Sequence, residues 1–186
     1  LNAGEPAPFV KGPEREVFRG GVISLAVGTF TGPDGTTFER DLVHHPGAVS
    51  VVPVTDEHHA VLVRQYRAAI GDHLLEIPAG KRDVRGEPPE TTAHRELAEE
   101  VGLEAGRLEP LARFYNSAGF CDELSYVFLG LELRAVDRST QGLEEEHMTI
   151  EQVALADVPA MIADGRLCDA KTIIGLTLAR TALGLG

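Results

Sequence analysis

The stretch from Gly80 to Leu103, GKRDVRGEPPETTAHRELAEEVGL, constrains this chain more than any other. Its consecutive prolines at 88 and 89 set the start of a helix. The residue before a proline avoids the helical region, so Glu87 and Pro88 fall outside and Pro89 takes the first helical position. Gly102 stands where a left-handed C-terminal cap belongs. The spacing predicts a helix of about three to four turns. Ala93, Leu97 and Val101, four residues apart, form an apolar stripe. Glu96, Glu99 and Glu100 share the neighbouring arc of roughly 100°. One face packs, and the adjacent one presents carboxylates.

Clustered like charges destabilise a fold unless something neutralises them, and a divalent cation does so directly. Neighbouring acids on a helix are more often a solvated face. Two features argue against that here. The acids lie toward the helix C-terminus, where the macrodipole disfavours negative charge. They also lack a Lys or Arg four residues onward, where Leu103 and Glu104 stand instead. Hard oxygen ligands at this spacing suit Mg²⁺ or Mn²⁺, which keep several waters and meet substrate phosphates. The segment reads as a metal site that handles phosphate.

At 186 residues, 43% of them apolar and 25% charged, the chain fits one globular unit with a real core. Its net charge of -12 argues against a nucleic-acid partner, which requires a basic stripe. No apolar run reaches the roughly 20 residues that cross a bilayer, and Leu1–Glu5 lacks the basic and apolar regions of a signal peptide. Cys121 and Cys168 show neither metal-ligand spacing nor a disulfide framework, so a cytoplasmic location is expected.

Residues 1–15, rich in Pro and Gly, read as an arm. Strands are expected at Val22–Val27 and Phe38–Val43, joined by a Gly-Pro-Asp-Gly turn, and at Ala48–Val54 and Ala60–Gln65. His73–Gly80 is a short strand ending in a loop. Beyond the helix come strands at Leu108–Tyr115, Ser125–Leu133 and Thr149–Val153, then helices over 156–164 and 169–183. The natural architecture is α/β, a mixed sheet sandwiched between helices.

The 80–103 segment closely resembles the signature of the Nudix hydrolases, G-x5-E-x7-R-E-U-x-E-E-x-G-U, with U a bulky aliphatic residue. From Glu87 through Arg95-Glu96-Leu97-Ala98-Glu99-Glu100-Val101-Gly102-Leu103 every specified position matches. Upstream, six residues rather than five separate Gly80 from Glu87, and the extra one falls in the turn. The resemblance implies an α/β/α sandwich that cleaves a nucleoside diphosphate linked to another moiety. It implies Glu96, Glu99 and Glu100 as metal ligands with the Ala79 carbonyl as a further one, and Arg95 with Glu87 as a structural charge pair.

Outside that box, Val63-Arg64-Gln65-Tyr66-Arg67 and Leu74-Leu75-Glu76-Ile77-Pro78-Ala79-Gly80 resemble the ADP-ribose pyrophosphatase branch. So does Asn116–Glu123, which matches the branch's S-P-G-x-S-D/E-E loop with Ala118 at the usual Pro and Cys121 at the usual Ser. The branch implies a glutamate from a later acidic loop that positions or deprotonates the attacking water. Glu144, Glu145 and Glu146 are the candidates, and spacing favours Glu145; a solvated acid run is the plainer reading. Arg64 and Arg67 would bring guanidinium charge to a pyrophosphate, though Arg64 also reads as a strand-surface charge. Glu76 either meets a bound nucleoside or caps its strand. Phe120 either lines the pocket or anchors its loop. The His44-His45 and His58-His59 pairs read as surface or packing residues, because neighbours in a strand point to opposite faces.

The expected activity is Mg²⁺-dependent hydrolysis of ADP-ribose to AMP and ribose 5-phosphate, with Glu99, Glu100 and Glu145 in catalytic roles. Ala118 and Cys121 keep other substrates open: a nucleotide sugar, a dinucleoside polyphosphate or NADH. A nucleotide sensor without catalysis is the rival from another class. The resemblance also implies a homodimer built through an N-terminal β arm, residues 1–45, beside a catalytic domain over 46–186.

Overall fold

The computed structural model describes residues 8–138 and 147–186. They divide into two compact units, one containing the chain up to Pro46 together with Tyr115–Leu124, the other Gly47–Phe114 together with Ser125–Gly186.

The first unit is built on an antiparallel sheet of β1 (Val10–Arg19), β2 (Ser24–Thr31) and β3 (Thr37–His44), in that order. β2 and β3 pair in unbroken register from Ser24 with His44 to Thr31 with Thr37, around the predicted Gly-Pro-Asp-Gly turn. Within the expected β arm, the Pro- and Gly-rich start is itself a strand from Val10 onward. β1 runs through Gly12 and Pro13 and is exposed at every position, with register shifts that absorb the irregular residues. An edge strand tolerates a proline there because one row of its hydrogen-bonding groups has no ladder to join.

In the second unit two sheets share the work. One is antiparallel, in the order β10 (Thr149–Ala154), β5 (His59–Arg67), β6 (Asp72–Glu76). The other runs β7 (Ala79–Lys81), β4 (Ala48–Pro53), β9 (Leu124–Ala135), β8 (Leu103–Tyr115) and is mixed, with β4 antiparallel to β7 and parallel to β9. The helices are α1 (Pro89–Val101), α2 (Val158–Ala163) and α3 (Ala170–Ala182). β8 begins five residues before its predicted start, directly after the Gly102 cap.

Period-two alternation sorts the core into two layers. Val49 and Val51 of β4, Val61 and Val63 of β5 and Phe128 of β9 pack with Ala93, Leu97 and Val101 of α1. Val52, Ala60, Leu62, Val127 and Leu129 face the other way, onto Val158 and Met161 of α2 and Leu176 and Ala179 of α3. Strands buried on both faces lose the polar alternation of a half-exposed sheet, which is why Ala48–Val54 reads as a continuous apolar run. This α/β/α layering is the expected sandwich.

α1 begins and ends where its prolines and glycine predict. Pro88 is extended at φ -61° and ψ 143°. Gly102 is left-handed at φ 65°, and its N–H donates back to the carbonyls of Ala98 and Leu97. The stripe Ala93–Leu97–Val101 is buried, as its spacing requires.

Candidate active site

With its apolar stripe buried, α1 has to carry the adjacent acids into the unit rather than out to water. Glu96 is 9% exposed and Glu100 4%. Both meet β7. The backbone N–H of Ala79 donates to Glu100 Oε2 at 2.9 Å. A Cβ placed on Gly80 would fall within the Glu96 carboxylate. Gly80 is therefore a glycine because another group already fills that space. β7 is in turn held on β4, where Gly80 pairs with Val49 and Ala79 with Ser50.

Arg95 gathers the remaining charge. Its Nη1 lies 2.7 Å from Glu96 Oε1 and 3.2 Å from Glu99 Oε2, and its Nη2 lies 3.5 Å from Glu87 Oε2. Glu87 is held further by the Thr92 hydroxyl, which donates to it at 2.7 Å. Burial would ease the proton off the Arg95 guanidinium, but Glu96, Glu99 and Glu87 outweigh it and hold the proton more tightly than usual. The charge pair implied for Arg95 and Glu87 is thus one edge of a wider cluster. Four carboxylates share one guanidinium, with Asp83 Oδ1 joining the other three at 3.8 Å from Nη2.

This donor set fits a hard divalent cation. Buried carboxylate oxygens stand against a backbone strand at a glycine that leaves them room, and such oxygens are what Mg²⁺ and Mn²⁺ take. Among the described residues, no three acid, imidazole or thiol side chains already stand in ligating geometry. Glu96 and Glu99 lean instead toward Arg95.

The other predicted positions sort themselves into pairs. On β5, Arg67 donates through Nε and Nη2 to both oxygens of Glu76 on β6, each at 2.6 Å. Glu76 is 1% exposed and also ion-pairs with Lys171. The hydrogen bond from Glu76, with burial opposing it, fixes the Arg67 proton above its ordinary tenacity; Asp169 and Glu100 add to this from a distance. Arg64 donates to Glu151 Oε1 of β10 at 2.6 Å, and both side chains are well exposed. Phe120 belongs to the first unit and is exposed, its carbonyl accepting from Val43 N at 2.7 Å. Glu144, Glu145 and Glu146 lie outside the described residues. The structure therefore brings Ala79, Glu96, Glu99 and Glu100 together and joins Arg67 to Glu76.

The histidine pairs behave as separate residues. His44 Nδ1 lies 2.5 Å from Asp122 Oδ2 and its Nε2 3.0 Å from Glu14 Oε2, while His45 presents its backbone N–H to Asp122 Oδ1 at 2.9 Å. All four residues belong to the first unit. Cys121 and Cys168 are free thiols.

Three residues absent from the sequence reading stand beside Glu76: Asp169, Lys171 and Thr172. Asp169 is the N-cap of α3 and accepts from Thr172 N at 3.0 Å. That cap was readable from an acid at the first position of a predicted helix. Its connection to Glu76, 95 residues from Lys171, was not.

The chain resembles known proteins over most of its length. The NUDIX domain model matches residues 44–173. The chain belongs to the Nudix family. It is 40% identical over 159 residues to the ADP-ribose pyrophosphatase of Bacillus subtilis (strain 168), covering 86% of this chain and 85% of that protein. It is 37% identical over 161 residues to the methanol dehydrogenase activator of Bacillus methanolicus, covering 87% and 86%. Among solved structures, an ADP compounds hydrolase superposes with a TM-score of 0.84 over 99% of both chains, at 23% identity, a likeness of fold.

Proposed function

We propose that this protein hydrolyses the pyrophosphate bond of ADP-ribose, using Mg²⁺ or in its place Mn²⁺, to give AMP and ribose 5-phosphate. The observation that carries the proposal is the burial of Glu96 and Glu100 against Ala79 and Gly80. Carboxylates kept out of water in a cluster that shares one guanidinium make a strong site for added positive charge. The likeness to a named ADP-ribose pyrophosphatase over most of both chains supports the choice of substrate.

In this reading Glu96, Glu99 and Glu100, with the Ala79 carbonyl, hold the metal. When bound, a divalent ion neutralises the diphosphate and makes a coordinated water more acidic. The chain's own residues do the rest. Glu100 is aimed by the Ala79 N–H, and Glu96 is packed by Gly80. Glu145, or a glutamate of the box, positions the water and takes its proton. Water oxygen bonds to one phosphorus as the bridging P–O bond breaks, and the leaving phosphate carries off the electron pair. Arg67 supplies fixed positive charge near the diphosphate, with Glu76 contributing through the guanidinium it holds; Arg64 completes the substrate-binding set within this unit. Positioning and charge neutralisation are the main sources of rate in such transfers.

The catalytic part is proposed to span residues 46–186, with residues 1–45 forming a dimer arm. The exposed apolar residues Phe9, Val10, Val17 and Phe18 on and beside edge strand β1 support a homodimer. Sedimentation as a 20.0 kDa monomer at micromolar concentration would remove that part of the proposal. No helix among the described residues is long and apolar enough to cross a membrane. Together with the two free thiols, this supports a cytoplasmic location.

The test is product analysis with ADP-ribose and Mg²⁺ beside ADP-glucose, GDP-mannose, NADH and diadenosine polyphosphates. Preference for ADP-ribose with AMP as product is the expected result. Preference for another member keeps the hydrolase and replaces its substrate. Tight binding of one compound without turnover of any would make the protein a nucleotide sensor.

A further inference from the structure

The N-terminal turn of α3 reaches into the site along two routes. Lys171 ion-pairs with Glu76, whose carboxylate holds Arg67 by two hydrogen bonds of 2.6 Å. Thr172, fully buried, accepts from the backbone N–H of Ile77 at 3.0 Å. Both routes converge on Asp169. Its Oδ2 accepts from Lys171 Nζ at 3.0 Å, from Thr172 N at 3.0 Å and from Thr172 Oγ1 at 2.6 Å. Beyond Ile77 only Pro78 intervenes before Ala79, the residue whose N–H aims Glu100.

We propose that Lys171 is a positioning residue: anchored by the Asp169 cap of α3, it neutralises Glu76 and thereby sets the charge and aim of Arg67 and the seating of the Ile77–Gly80 segment against the α1 carboxylates. This rests on the hydrolase reading of that site. Four charges make the argument. Arg67, Lys171, Glu76 and Asp169 sum to zero, so the buried cluster adds no repulsion toward a diphosphate. Without Lys171 a net negative charge appears beside Arg67, and the guanidinium is drawn wholly to Glu76. A dianionic substrate then binds less well, while the reacting atoms, served by α1, lose little. A merely structural lysine would act otherwise, lowering melting temperature and the active fraction without moving KM.

The experiment compares wild type with Lys171→Met and Lys171→Arg. Two measurements are made: KM and kcat for ADP-ribose with Mg²⁺, and amide hydrogen exchange over residues 76–80 without metal. In Lys171→Met we expect KM to rise about tenfold with kcat within about twofold. Exchange at Ile77 and Ala79 should quicken about tenfold in the same variant. Lys171→Arg, which keeps the charge and the donors, should restore both. Unchanged KM and exchange in Lys171→Met would overturn the proposal, as would a fall in kcat and melting temperature at constant KM. If wild type turns over no nucleoside diphosphate derivative, the hydrolase reading fails by itself. The exchange data then decide alone: quickening that Lys171→Arg reverses upholds the seating role, and its absence ends it.

Discussion

Two acidic clusters lie in the same unit and are built on opposite principles. Around Glu76 the charges balance: two carboxylates face two cations, and every bond is short and specific. Around α1 four carboxylates, those of Asp83, Glu87, Glu96 and Glu99, lean on the one guanidinium of Arg95, while Glu100 is turned to a backbone N–H. Balanced buried charge is framework, and breaking it leaves an uncompensated ion. Carboxylates crowded into a protected place offer the hard oxygen ligands that a divalent cation takes. The difference separates carboxylates that fasten the framework from those proposed to hold the metal, although both sets are acids with little exposure.

The largest effect should come from exchanging one carboxylate in each cluster. Glu100→Gln is expected to lower turnover by at least about 10³-fold with its melting temperature nearly unchanged. Glu76→Gln is expected to cost about 3 kcal/mol in denaturant unfolding, because Lys171 and Arg67 lose their shared counter-charge. Stability loss in the first and intact folding in the second would erase the distinction. Next comes Gly80→Ala. The added methyl must displace the Glu96 carboxylate, and a displacement of about 1 Å lowers rates by about 10²-fold. Calorimetric titration with Mn²⁺ should show weakened binding in this variant, and full affinity would detach Glu96 from the metal.

A smaller effect sharpens the same contrast. Millimolar Mg²⁺ should raise the melting temperature of wild type and of Lys171→Arg by a few degrees, since binding to the folded state alone stabilises it. The shift should vanish in Glu100→Gln. An equal shift in all three would put the cation elsewhere.

The smallest effect is in the first unit, where Asp122 and Glu14 hold the His44 imidazole. Hydrogen bonding to Asp122, opposed by burial and reinforced by Glu14, raises the His44 pKa. Such a group stabilises fully below its unfolded value of about 6.5 and loses its contribution as pH rises through the folded value. For Asp122, burial pushes upward, but His44 and the His45 N–H prevail and the pKa falls. Its contribution is present above about 3.9 and is lost as pH drops through the folded value. Lys11, on Glu14, and Glu123, near His45, are the other charges facing the pair. Amide exchange in Tyr115–Leu124, corrected for its intrinsic pH dependence, should be slower at pH 5.5 than at pH 8.5. His44→Gln should remove that difference.

What could be read in advance follows from where the information lies. α1 was legible to the residue because proline and glycine act locally and its apolar and acidic positions repeat at helical spacing. The buried strands β4 and β5 were legible from uninterrupted apolar runs. β1 was legible only as part of a β arm: every side chain is exposed, so nothing in it alternates to fix its bounds, and Gly12 with Pro13 obscure its start. In the site, the α1 acids could be named because they share one helix. Arg95 was expected to pair with Glu87; its contact with Glu99 escaped because the cation stands four residues before that acid, not four residues onward. Lys171 and Thr172 escaped because they meet Glu76 and Ile77 only through tertiary packing across 95 residues.

That long span sets an order of events during synthesis. As β6 and β7 leave the ribosome, the Ile77 amide that will be buried has no Thr172 to receive it, and Glu76 has no Lys171. Contacts this distant in sequence carry a loop-closure cost that local ones do not. The segment that aims Glu100 is then held by β4 and α1 alone, and its fastening to α3 is the last to become available.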